Sequence, residues 1–170
     1  MATNLLILGA GPYGQLAREV ALSMNCFDMI SFLDDASVDA IGKTSDYARF
    51  FGTYSEAFVA IGNSRIRMQL IDQLQSCGYS LPVLRHPVSV VMPSAQLGPG
   101  CMVEPMAVVN SNAEVEAGCL ICAGAVVNHN ARVCRGSQID CNAVVASHAV
   151  VPEGTKVPSG TVYTQNIRME

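Results

Sequence analysis

The chain has 170 residues, half of them apolar, with 14% charged side chains and a net charge of −4. That length suits one large or two small domains, and the apolar content is enough for a core. The acidic balance gives no basic footprint for a nucleic acid, but local positive charge can still meet a small anionic ligand.

The opening MATNLLILGAG lacks a basic stretch ahead of an apolar one, and no apolar run reaches the roughly 18 residues of a membrane span. The seven cysteines are an odd number, and none forms a metal-type pair. They fit reduced thiols better than a disulfide framework. The sequence therefore predicts a soluble cytoplasmic protein.

Residues 4–8 (NLLIL) form a short apolar run that ends in Gly9-Ala10-Gly11-Pro12-Tyr13-Gly14. A helical stretch follows with Leu16, Val20 and Met24 on one face. A second run, Met29–Leu33, ends in Asp34-Asp35, and a third, residues 57–61, ends in Gly62-Asn63-Ser64. Asn63 or Ser64 suits the cap of the next helix, 65–77, whose Ile66, Leu70, Ile71 and Leu74 keep helical spacing. Gly78 stops that helix, and 79–84 reads as a fourth strand. Strands alternating with helices predict a Rossmann-like α/β domain over 1–86. His86-Pro87 marks the passage to a second domain, 87–170.

In a parallel sheet, ligands bind at the carboxyl ends of the strands, and all three punctuating motifs fall there. Glycines let backbone N–H groups approach an anion, and the helix behind adds its positive end. A lone GxGxxG suggests NAD, but a dinucleotide usually needs two mononucleotide halves and only about one is present. A nucleotide-type ligand other than NAD fits better. A turn with no role beyond structure is the competing reading.

From Val91 onward a six-residue unit repeats twelve times. An aliphatic residue stands at every sixth position from 91 to 157, eleven Val or Ile and one Leu. A small residue follows four positions later, from Ala95 to Thr161. The residue three after the aliphatic is mostly Gly or Asn, as at Gly100, Asn112, Gly118 and Asn130. Gly and Asn accept positive φ cheaply, as a tight corner needs. Three hexads close a triangular coil, so the period predicts a left-handed parallel β-helix of about four coils. The pattern points Cys119 inward and Cys122 outward. Its flat faces favour packing on further copies of the chain.

Five segments carry a family resemblance in order: ILGAGPYG (7–14), FLDD (32–35), AIGNSRIR (60–67), LRHP (84–87) and VVNHN (126–130). With the hexad repeats, the chain resembles the bacterial nucleotide-sugar N-acetyltransferases. These are acetyl-CoA-dependent enzymes acting on 4-amino sugars of UDP or dTDP, grouped with sialic-acid O-acetyltransferase-like proteins. The resemblance implies that His129 is the general base and that the family trimer places active sites between adjacent solenoids. It implies that Gly11, Pro12, Tyr13, Asp34, Asp35, Gly62 and Arg65 hold the nucleotide sugar. Asn130 stands where the family often has an acidic residue that orients the ring. Gln138 stands where a second histidine often lies, nine residues after the base, and is assigned to coenzyme A. The repeats end earlier than is usual in the family, which implies a shortened coenzyme groove or another acyl donor.

Chemistry supports the same assignment. A histidine has an ordinary pKa of about 6.5, near working pH, and suits removal of the amine's proton during acyl transfer. An Asn130 amide oxygen can accept the Nδ1 proton, though it stabilises imidazolium less than a carboxylate does. The coil period stacks Asn112, Asn130 and His148 in one column, which brings His148 near the site. Arg132 and Arg135 either meet coenzyme phosphates or solvate the solenoid. No metal constellation is evident. The expected activity is N-acetylation of a nucleotide-linked 4-amino-4,6-dideoxy sugar for surface-glycan synthesis. The rivals are sugar O-acetylation, an inactive nucleotide-sugar-binding scaffold, and an NAD-dependent oxidoreductase.

Overall fold

The computed structural model describes residues 3–165. Residues 1–2 and 166–170, on which the expectations about a leader and a closing segment partly rest, lie outside them. The chain divides into two compact units, Met1–Leu84 and Arg85–Glu170. No helix among the described residues is long and apolar enough to cross a membrane.

The first unit is built on three parallel strands, β1 (Asn4–Leu8), β2 (Met29–Leu33) and β3 (Glu56–Val59), in the order β2-β1-β3. Leu5, Leu6, Ile7 and Leu8 are all inaccessible to solvent. Neither face of the central strand meets water, which is why β1 is a continuous apolar run rather than an alternating one. Helices α1 (Pro12–Met24) and α3 (Ser64–Cys77) follow the first and third strands, with a short α2 (Tyr47–Phe50) between.

Both helices bury a face slightly rotated from the expected one. In α1 the buried residues are Gly14, Ala17, Val20 and Ala21, while Leu16 and Met24 are half-buried. Small side chains bring this helix close, and a Cβ on Gly14 would collide with the Gly9 carbonyl oxygen. In α3 the buried stripe is Arg67, Met68, Ile71 and Leu74, and Ile66 is exposed. The expected fourth strand over 79–84 does not form. Ser80 makes an isolated bridge to Glu56, and pairing resumes only at Leu84–Arg85. Pro82 lies between and has no N–H to donate to a ladder.

The second unit is a left-handed parallel β-helix of about four coils. Its two-residue strands stack in three sheets. Face one runs through the strands at 84, 102, 120, 138 and 156; face two through 90, 108, 126, 144 and 162; face three through 96, 114, 132 and 150. Partners lie 18 residues apart, as in Val126↔Val144 and Arg132↔Val150. The hexad aliphatics from Val103 to Val157 are buried, and so are the small residues from Cys101 to Ala149. Every corner from Gly100 to Gly160 has positive φ, including Met106 and His148. The hexad's third position is thus set by backbone geometry. Its small residue fills the space just inside the corner.

Candidate active site

At the head of the first unit's sheet, the glycines of the two loops do different jobs. Gly9 has φ +104, and a Cβ there would meet the Ala60 carbonyl oxygen at 2.7 Å. Gly9 and Gly14 are therefore required by the fold itself. Gly11 and Gly62 are exposed, and a Cβ at either meets nothing within 4 Å. Neither has positive φ. No contact within the described residues demands glycine at these two positions. Gly11 is the N-cap of α1 and makes no side-chain cap. Pro12 occupies the first helical position with Tyr13, half-buried, behind it.

The two aspartates separate. Asp34 accepts from Ala10 N at 2.8 Å, Ala36 N at 2.9 Å and Ser37 N at 2.8 Å. These backbone bonds, Ala10 first, hold its carboxyl below the usual carboxylate range. Asp34 thus ties the end of β2 to the glycine turn. Asp35 is exposed; it accepts from Thr44 N at 3.2 Å and lines a cavity of about 690 Å³. Ile61, Ile66 and Leu70 give that cavity an apolar wall, and Ser45, Gln69 and Gln73 add hydrogen-bonding groups. The exposure of Ile66 is explained by this wall.

Arg65 is exposed, whereas Arg67, two residues on, is fully buried. Its Nη1 donates to Ile61 O at 2.8 Å and Gly62 O at 3.1 Å, holding the loop before α3. Asn63 caps that helix by accepting from Ile66 N at 3.1 Å. Sequence reasoning passed over Arg67 in favour of Arg65. The signal was its place on the Ile71–Leu74 stripe.

In the second unit, His129 stands exposed at the corner after face two. Its Nδ1 is 3.1 Å from the Asn130 amide nitrogen, and its Nε2 is 2.9 Å from Ser147 Oγ. The His148 ring packs edge-on with centroids 5.7 Å apart. The expected partner atom on Asn130 was the oxygen; the nitrogen faces the ring instead. An amide nitrogen donates, so this arrangement makes Nδ1 the acceptor and leaves the proton on Nε2, donated to Ser147 Oγ. A half-turn of the amide about its Cβ–Cγ bond reverses the polarity. Ser147 was missed, although it lies one 18-residue coil beyond His129.

Gln138 lies on face one, half a coil from His129, and the chain does not bring the two together. Its Nε2 donates to Asp140 Oδ1 at 2.6 Å. Cys122, expected outward, is only 7% exposed. It lies in a column between Glu104 and Asp140, one coil to either side, and burial with the nearby Glu104 carboxylate pushes its thiol far up. Glu104 is itself buried; it accepts from Ala123 N at 2.9 Å, and burial raises its carboxyl. Arg132 donates from Nε to Glu116 Oε1 at 2.8 Å, so its charge is matched within the solenoid. No group of three or more His, Cys, Asp or Glu among the described residues is arranged to hold a metal ion.

Residues 4–74 match the family of PglD N-terminal domains. Over 95% of this chain and 82% of the other, the structure is similar to the acetyltransferase domain of PglB from Neisseria gonorrhoeae, with 29% identity and a TM-score of 0.91. That domain in complex with acetyl coenzyme A matches over 97% of this chain and 83% of the other, at 29% identity and a TM-score of 0.88. A mutant of perosamine N-acetyltransferase from Caulobacter crescentus, with CoA and GDP-perosamine, matches at 20% identity and a TM-score of 0.77 over 98% and 90% of the two chains. No curated protein matches.

Proposed function

We propose that this chain, whose residues 4–74 match the PglD N-terminal domain family, is an acyltransferase that N-acetylates a nucleotide-linked amino sugar. Acetyl-CoA is the donor, and the acceptor is the amine of a 4-amino-4,6-dideoxy sugar destined for surface glycan. The single observation that carries this reading is His129. It is a solvent-facing imidazole whose two nitrogens are held by Asn130 and Ser147, on a solenoid similar to that of an acetyl-CoA-bound acetyltransferase domain.

The chemistry follows from those residues. The amine attacks the thioester carbonyl, and His129 takes the proton the nitrogen sheds. The coenzyme is expelled as its thiolate and takes that proton back from the imidazolium, leaving as the thiol. Asn130 steadies the ring from the Nδ1 side. In the first unit, Gly11 and Gly62 let the sugar nucleotide lie against the backbone, and Pro12 and Tyr13 open the helix whose positive end faces the diphosphate. Asp34 fixes the glycine turn. Asp35 takes hydroxyl or ring N–H donors at the mouth of the cavity, and Arg65 adds exposed positive charge beside the second loop. Gln138 contributes its amide to coenzyme A.

The protein acts as a homotrimer in the cytoplasm. Outward-facing Val90, Val108, Val126, Val144 and Val162 form an unbroken ladder on face two. Val90 and Val162 are 49% and 63% exposed. A single apolar stripe of this kind is what a second copy covers in a closed ring. Seven unpaired cysteines fit a reducing compartment.

The test is to incubate the protein with acetyl-CoA and a panel of UDP-, dTDP- and GDP-linked 4-amino sugars, following thiol release. One or more sugars should release thiol in step with acetylated product. Silence across the panel, with a sugar nucleotide still raising the melting temperature, would replace the enzyme by a binding scaffold.

A further inference from the structure

We propose that Ser147 is a positioning residue that decides which imidazole nitrogen of His129 serves as the base. The inference rests on the acetyl-transfer reading given above. His129 Nε2 and Ser147 Oγ are 2.9 Å apart, a full hydrogen bond across two adjacent coils. On the other side of the ring, Asn130 is 3.1 Å from Nδ1. Each of these partners can donate or accept. The hydroxyl does so by rotation about its C–O bond, and the amide does so by presenting either end.

Only two consistent arrangements exist. In the first, the Asn130 nitrogen donates to Nδ1 and Nε2–H donates to Ser147 Oγ. The one in-plane lone pair, on Nδ1, is then engaged by the amide, and Nε2 already carries its proton, so neither nitrogen is open to take another. In the second, the Asn130 oxygen accepts from Nδ1–H and the Ser147 hydroxyl donates to Nε2. Nε2 is then the unprotonated nitrogen, and an incoming amine takes the hydroxyl's place there. The Ser147 hydroxyl accepts in the first arrangement and donates in the second; donating, it holds Nε2 unprotonated, and that donation is its contribution to the choice. An acidic residue at 130 accepts only, and on its own it would fix the second arrangement. With an amide at 130, the choice falls to the Nε2 side, where among the described residues Ser147 makes the hydrogen bond to the ring.

The register makes this contact durable. Val126 pairs with Val144 and Val127 with Val145, so residues 129 and 147 project from equivalent corners of neighbouring rungs. The His148 ring, 5.7 Å away and nearly perpendicular, backs the imidazole from the same upper rung.

The experiment uses the full chain labelled with ¹⁵N at histidine. Ring nitrogen shifts are recorded near pH 8.5, where an ordinary imidazole is neutral, for wild type, Ser147→Ala and Ser147→Thr. Steady-state kinetics with acetyl-CoA and an accepted amino sugar accompany the spectra. Ser147→Ala should change the Nδ1–H to Nε2–H balance of His129 and lower kcat about tenfold, the scale of one hydrogen bond, with KM for acetyl-CoA unchanged. Ser147→Thr keeps the hydroxyl and should restore both. Identical His129 spectra and kcat in wild type and Ser147→Ala would overturn the proposal. A tautomer shift in a protein that acetylates nothing would uphold the contact and remove the acetyl-transfer reading instead.

Discussion

Left-handed backbone occurs in both units, but it serves different ends. In the first unit it ends helices, at Asn25 after α1 and Gly78 after α3, and allows one close packing: Gly9 turns at φ +104 beneath the Ala60 carbonyl, and Gly14 leaves room for the Gly9 carbonyl. In the solenoid it is a repeating device. The corner after face three is glycine in every coil, at Gly100, Gly118, Gly136 and Gly154. The corner after face two is never glycine in the coils where it turns left-handed; it is Asn112, Asn130 and His148. A non-glycine residue pays roughly 1 kcal/mol or more there, reduced for Asn. That strain is also accepted after face one, at Met106 and Asn142, but the column after face two is the one that presents His129 and Ser147. In that column the His129 ring meets Ser147 and His148 of the next rung.

The largest effect that tests this contrast is on chemistry. His129→Ala should lower kcat at least 10²-fold while the circular dichroism of the solenoid is unchanged; full turnover in this variant would strip the column of its catalytic meaning. The next effect is on folding of the first unit. Gly14→Ala drives a methyl group into the Gly9 carbonyl and should cost about 3 kcal/mol in denaturant titration. Gly11→Ala is its counterpart. It should cost no more than about 1 kcal/mol, the scale of an N-cap change, yet weaken sugar-nucleotide binding about tenfold by calorimetry if the proposed ligand lies against that backbone. Equal affinity in Gly11→Ala and wild type would make the whole turn structural.

The smallest effect concerns pH. Burial raises the Glu104 carboxyl, so the folded chain holds that proton more tightly than the unfolded one. Its contribution to stability is fully present below the ordinary carboxylate pKa of about 4.3 and is lost as pH rises through the raised folded value. Glu104→Gln keeps an oxygen for Ala123 N and should flatten that decline, with a small gain in melting temperature at neutral pH. A variant that declines as steeply as wild type would show that another group carries the dependence.

The solenoid was readable because one physical demand recurs every six residues, so each position is stated many times. The corner at Met106 follows from the period even though Met is not a usual left-handed residue, and His148 is of a type that accepts that conformation. The first unit states each demand once. Its strand ends and the Asn63 cap were legible from local chemistry, but the division of labour between Asp34 and Asp35 was not. That division depends on backbone N–H groups brought in by Ala10, 24 residues earlier. Arg67 was passed over because its place on the Ile71–Leu74 stripe was outweighed by the rarity of a buried guanidinium, which here is satisfied by the Ile61 and Gly62 carbonyls. The burial of Cys122 was missed for a related reason. The hexad rule describes which way a residue leaves its own rung and says nothing about the Glu104 and Asp140 side chains stacked on either side.

The half-coil separation of His129 and Gln138 has a consequence for genetics. Two groups on different sides of one prism can serve one reaction only if they come from different polypeptides. Co-expressing His129→Ala with Gln138→Ala should then regenerate working centres that neither parent has alone, through intersubunit complementation. Mixing the two after separate purification should do so only as fast as subunits exchange.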